Sequence, residues 1–218
     1  MTQSTFMEDY NNSLKQLDEI KSMMERSSRF ISLSGWSGIS AGICALIGAF
    51  IANRRIDLYY KNEYSTQRAS ATDLFSYLLI VALLVLFFAM ITAFFFTYLK
   101  SKKAHIPIWG SSAKRLMWHT LLPMLVGGIF ILQLIDQNQF QFVASGCLIF
   151  YGLGLVNGSK FTLGEVRYLG YIEIILGLAS LFFSRHGLLF WALGFGVFHI
   201  VYGFAMWWKY DRVETEMK

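Results

Sequence analysis

Two ionisable side chains stand where a membrane-crossing helix can least accommodate them. Glu173 lies in the apolar run Tyr168–Phe183, and His199 lies in the run Leu188–Trp208. A charge at the centre of a bilayer costs roughly 2.5–3.5 kcal/mol on insertion scales, so each group needs a partner. Histidine is the side chain that changes charge nearest neutral pH, and a carboxylate is its natural counterpart. Such a pair can relay protons or coordinate a ligand; it can equally be a polar contact that fixes the register of two helices. The surroundings of the two residues are alike. Gly170 and Gly177 flank Glu173, and Gly196 and Gly203 flank His199, in each case three residues before and four after. A tight turn at 185–186 joins the two runs, with Glu173 12 residues before it and His199 13 after it. At about 1.5 Å per residue the two depths are nearly equal. Glu173 and His199 are therefore expected to meet in an antiparallel hairpin whose glycines let the backbones approach.

Nothing beside them completes a catalytic group. His105, His119 and His186 have no paired spacing, and Cys44 and Cys147 sit singly inside apolar runs. Neither a metal site nor a disulfide is expected, and both cysteines read as small buried hydrophobes. The sequence contains no phosphate-binding loop, dinucleotide fingerprint, nucleophile elbow, zincin or EF-hand pattern. No catalytic residue, metal or cofactor is assigned.

The elements that must hold the pair follow from composition. Hydrophobic residues make up 55% of the 218 and charged residues 15%, against about 25% charged in soluble proteins. About 20 apolar residues in a helix cross a hydrocarbon core of about 30 Å. Six runs approach that length, at 30–52, 74–99, 116–135, 140–156, 168–183 and 188–208. Strand-type alternation is absent, which argues against a membrane barrel. The fold class expected is an all-α integral membrane protein, a bundle of about six transmembrane helices over 30–208. A short amphipathic cytoplasmic helix within 1–29 precedes it and a cytoplasmic tail, 209–218, follows. The first run exceeds the length of a signal-peptide core and follows 29 residues of mixed charge, so it is expected to stay in the protein.

Charge sets the orientation. The tail before the first run, the loops after the second and fourth, and the carboxyl tail together carry 14 Lys and Arg; the opposite loops carry five. The positive-inside rule then places both termini in the cytoplasm. Lys100, Lys102, Lys103, Lys114 and Arg115 crowd one cytoplasmic loop with no acid. That is a stop for insertion that can also hold anionic headgroups, rather than a nucleic-acid surface. In the amino-terminal segment Tyr10, Leu17, Ile20 and Met24 form a stripe, while acids and bases nearly balance. This suits docking on the cytoplasmic ends of the spans better than a basic membrane anchor.

Packing can also be read from small residues. Ser34, Gly38 and Gly42 recur every four residues in the first run, a row that lets two helix backbones approach closely. The second run contains no glycine and is expected to face lipid. Pro123, with Gly127 and Gly128 after it, marks an expected kink in the third.

Three strings carry a resemblance: KSMMERSSRFISLSG at 21–35, GEVRYLG at 164–170 and FWALGFGVFHIVYG at 190–203. They resemble an uncharacterised family of small six-span inner-membrane proteins from Bacteroidetes-type bacteria, over nearly the whole chain. The resemblance implies the bacterial inner (plasma) membrane and, from the small winged-helix regulators encoded beside such proteins, a sensory or regulatory context. It transfers no functional residue.

Three classes of function remain. The first is a non-enzymatic scaffold, sensor or regulatory partner, whose partners are membrane lipids and a second copy of the chain or another membrane or cytoplasmic protein. The second is a small transporter or channel that uses the Glu173–His199 pair. The third is an intramembrane enzyme acting on lipid, which would need a nucleophile or metal that the sequence does not supply.

Overall fold

The computed structural model describes residues 34–66, 71–103 and 109–211. The amphipathic helix expected within 1–29, the start of the first run at 30–33 and the tail beyond 211 lie outside the described residues. Every element among the described residues is helical, and there is no strand. The long helices are α1 (Gly35–Thr66), α2 (Ala71–Lys103), α3 (Ser111–Asp136), α4 (Val143–Gly158) and α5 (Glu165–Phe182). After a short turn at Ser184–His186, the last span alternates between two helix types. It runs through α6 (Gly187–Trp191), a π-helical stretch Ala192–Phe198, α7 (His199–Met206) and a second π stretch Trp207–Asp211. A helix satisfies its backbone groups within itself, which is what crossing an apolar medium would require.

Five helices are long and apolar enough to cross a membrane: Gly35–Lys61, Asp73–Lys103, Ser111–Asp136, Phe140–Phe161 and Ser184–Tyr210. The remaining apolar run became α5, which has 18 residues and includes Glu165, Arg167 and Glu173. It is shorter than the other five and carries three charges. The helices also outrun the apolar cores. Positions 53–73, read as a loop, are helical as far as Thr66 and again from Ala71. The stretch from Asn53 to Thr66 contains neither glycine nor proline, so nothing in it breaks a helix once started. Likewise α3 runs unbroken through Pro123. It ends where Asn138 adopts a left-handed φ of 58°, a conformation asparagine tolerates better than most residues. The amides of Gln137, Asn138 and Gln139 then close on the carbonyls of Gln133, Ile135 and Leu134, satisfying the last open groups of the helix.

Glycines decide which helices touch. A Cβ placed at Gly152 would lie 2.6 Å from the Gly170 carbonyl oxygen, and one at Gly177 would lie 3.0 Å from the Ile149 amide. The α4 and α5 backbones are therefore in direct contact. On the other side, α1 meets the last span through Gly35, Gly38 and Gly42, which face Gly203, the His199 carbonyl and the Gly196 carbonyl. Ser34 is buried at the start of this row. In contrast, α2 packs chiefly on α1, with Val85 against Gly48 and Phe96 stacked on Trp36 at 6.3 Å. None of its apolar window is buried.

Candidate functional site

Three helices converge on the polar pair. Glu173 projects from α5 and is fully buried, and His199 opens α7 with 6% of its surface exposed. Its Nδ1 stands 3.3 Å from Glu173 Oε1. The same Nδ1 lies 3.0 Å from the Gly194 carbonyl oxygen in the preceding π stretch. Across the ring, Nε2 is 2.8 Å from the Tyr151 hydroxyl of α4. Phe195 closes the group on another side, its ring 5.0 Å from that of Tyr151 and 5.9 Å from the imidazole.

These contacts fix the proton on the ring. A carbonyl oxygen only accepts, so Nδ1 carries the hydrogen and donates it to Gly194. Nε2 of the neutral ring then accepts from the Tyr151 hydroxyl; in the imidazolium it would donate to that oxygen instead. Histidine is thus satisfied at both nitrogens without Glu173. The carboxyl group, by contrast, has no hydrogen-bond partner at either oxygen. Burying such a group unpaired is costly unless it is neutral or faces a counter-charge. Only two arrangements leave the pair neutral overall: a carboxylic acid beside an imidazole, or a carboxylate beside an imidazolium.

Space beside the carboxyl depends on one residue. A Cβ at Gly194 would collide with Glu173 Oε2 and come within 2.5 Å of Leu148 Cδ2. Gly194 therefore admits the Glu173 carboxyl and offers its carbonyl to His199. Two further buried hydroxyls, Ser145 on α4 and Ser180 on α5, also lack a hydrogen-bond partner. The antiparallel register set by Gly152 with Gly170 and Ile149 with Gly177 puts these two serines opposite one another. They lie toward the 183–187 end of the bundle relative to Glu173.

The two flanking glycine rows do not meet each other. Gly170 and Gly177 face α4, whereas Gly196 and Gly203 face α1. Glu173 and His199 come together between these two interfaces, and the glycine that faces Glu173 is Gly194. Sequence reasoning missed both Gly194 and Tyr151. For Tyr151 a signal existed. It lies 12 residues past position 139, the last of the short loop before the fourth run, the depth at which Glu173 and His199 stand from their own turn. For Gly194 there was none, because a regular α-helix would not aim it at Glu173.

At the opposite end of α5, Lys209 Nζ and the Tyr210 hydroxyl both donate to Glu165 Oε1, the latter at 2.8 Å. Burial works to raise the Glu165 carboxyl, but these two hydrogen bonds and the Lys209 charge outweigh it and hold the group below its ordinary range. This tie closes the start of α5 onto the end of the last span. Asn157 donates to the His119 carbonyl at 2.8 Å, joining α4 to α3, while His119 Nδ1 lies 2.8 Å from the Arg115 carbonyl within α3 itself. Among the described residues no group of three or more His, Cys, Asp or Glu is placed to hold a metal ion. Comparison with protein-family models, curated proteins and solved structures gave no match to this chain.

Proposed function

We propose that this chain is a six-span protein of a bacterial inner (plasma) membrane, both termini cytoplasmic, that works as a non-enzymatic regulatory partner, either a scaffold or a sensor. The observation that carries this reading is the enclosure of its polar group. Tyr151, His199 and Glu173 tie α4, α5 and α7 together in the interior, and Glu173 has no exposed surface. A group so enclosed acts on the packing of its own helices; a substrate site must be reachable by substrate. A change in its proton count would leave net charge between helices held at backbone contact, so the arrangement of those helices responds to it. The transporter reading rests on a separate observation, the two Glu173 oxygens without hydrogen bonds, which suit a proton carrier.

Liposome flux separates the two readings. Reconstituted protein is expected to pass protons, sodium, potassium and small anions no faster than empty liposomes. Flux that Glu173→Gln abolishes, in a variant that stays folded, would replace the regulatory reading with transport. In parallel, crosslinking in intact membranes is expected to trap the chain in a defined complex, with itself or with another protein. Recovery of the chain alone at every crosslinker length would count against a scaffold.

The topology is tested independently. With Cys44 and Cys147 replaced by alanine, single cysteines at positions 62 and 106 are expected to label from opposite faces of the membrane, position 106 from the cytoplasm. The basis is the asymmetry of 14 cations against five. Labelling of both from one face would end the six-span arrangement.

A further inference from the structure

The geometry points to a binding site for an anionic phospholipid on the outward face of α2. Phe87, Met90, Ile91, Phe94, Phe95 and Tyr98 line an apolar groove of about 400 Å³ there. Their spacing of three and four residues places them on one helix face, and each of the six is exposed. The face that α1 covers is a different one, reached through Val85 and Phe96.

Length and charge identify the occupant. From Phe87 to Tyr98 the helix rises about 16 Å, which matches half of a hydrocarbon core of about 30 Å, the reach of an acyl chain in one leaflet. One helical turn past Tyr98, on the same face, stands Lys102, with Lys103 beside it; both are exposed. An acyl chain lying along the aromatic groove therefore brings its headgroup phosphate to the Lys102 ammonium, with Lys103 about 100° further round the helix. Tyr98 marks the boundary, as an aromatic with a polar tip does at a membrane interface. A zwitterionic lipid offers the same chain but no net charge for the lysines. A second copy of this chain would supply an apolar face but would bring its own Lys102 and Lys103 to the site if packed in parallel. Anionic lipid satisfies both halves of the groove at once.

The test uses the full chain in detergent micelles, titrated with dioleoyl phosphatidylglycerol or dioleoyl phosphatidylcholine and read by native mass spectrometry. Each lysine near a headgroup contributes about 1 kcal/mol toward anionic lipid, so phosphatidylglycerol is expected to bind about tenfold tighter or more. Lys102→Gln with Lys103→Gln is expected to erase that preference while leaving helix content and elution volume unchanged, since both side chains are exposed. Phe94→Ala with Phe95→Ala is expected to weaken phosphatidylglycerol binding several-fold with the preference retained. Inorganic phosphate at the same concentration is expected not to compete, which separates a lipid from a free-anion site. Equal binding of the two lipids, or a preference that survives loss of both lysines, would overturn the proposal. So would efficient crosslinking of Ile91→Cys to a second copy in phosphatidylglycerol membranes, because the face would then be a protein interface.

Discussion

His199→Ala is expected to destabilise the protein by about 2–4 kcal/mol, the cost of leaving several buried polar groups unpaired. The substitution strands the Tyr151 hydroxyl, the Gly194 carbonyl and the Glu173 carboxyl together, since all three converge on one imidazole. Glu173→Ala is expected to cost less, about 1–2 kcal/mol. It removes a side chain that makes no hydrogen bond and leaves both ring nitrogens of His199 satisfied, so mainly a cavity remains. The double substitution is expected to cost about 1 kcal/mol less than the sum, because loss of Glu173 relieves the carboxyl that His199→Ala strands. Glu173→Gln, which keeps volume and removes charge, is expected to hold the fold. Reversible unfolding in mixed micelles gives all four values. Additivity within about 0.5 kcal/mol would show that the two side chains do not interact, and a larger loss from Glu173→Ala than from His199→Ala would contradict the hydrogen-bond assignment.

Gly203→Leu is expected to be among the most damaging single changes outside that group, and Gly38→Leu to damage the same interface. A Cβ at Gly203 would stand 2.6 Å from the Gly35 carbonyl oxygen and 2.5 Å from the Ile39 amide. Both obstacles are backbone, which cannot rotate away as a side chain does. At Gly38 the Cβ would be 3.0 Å from Gly203 Cα and 3.2 Å from the His199 carbonyl oxygen, and the rest of a leucine has nowhere to go. Separation of α1 from α7 follows, at about 3 kcal/mol or more, the upper end of overpacking costs. The α1–α2 hairpin would then be held to the bundle by little else. Gly128→Leu and Leu86→Ala serve as controls, since Gly128 has nothing within 4 Å of its Cβ position and Leu86 is exposed. Both are expected to stay within about 0.5 kcal/mol. Thermal unfolding followed by far-ultraviolet circular dichroism reads the difference, and equal tolerance of all four changes would refute this account of the packing.

The glycine substitutions also show how far the sequence could be read. Helical class was legible because apolar runs of this length have few alternatives, and depth was legible because a hairpin counts residues from its turn. That arithmetic brought Glu173 and His199 to one level, and it would have found Tyr151 had it been applied to the fourth run. Rotation was not legible. Glycines in both runs suggested that α5 packs glycine-to-glycine on the last span, but a small residue marks a close approach without naming the neighbour. Gly170 approaches Gly152 and Gly203 approaches Gly35, choices set by the whole bundle. Helix ends escaped for a related reason: the charged stretch after Ala52 is polar yet contains no breaker, so hydropathy ended the span where the helix did not end.

The π-helical stretch at Ala192–Phe198 bears on how many residues the last span contains. A π turn packs more residues into a given rise than an α turn does, so this stretch holds chain that a regular helix of the same height would not need. In a regular helix each surplus residue would swing everything after it by about 100°, and Gly203 would turn away from α1. The widened turn absorbs the surplus locally. Both flanks therefore stay in phase with their neighbours, and only the carbonyl ladder between them is displaced, which is what leaves the Gly194 oxygen within reach of an imidazole five positions on. A chain one residue shorter in this stretch would close the turn and keep the contacts of α7 with α1, yet lose the space that Gly194 leaves for the Glu173 carboxyl and the acceptor that sets which nitrogen of His199 holds its proton. Chain length at this one turn is thus a second variable, beside the side chains themselves, by which the buried polar group can be retuned.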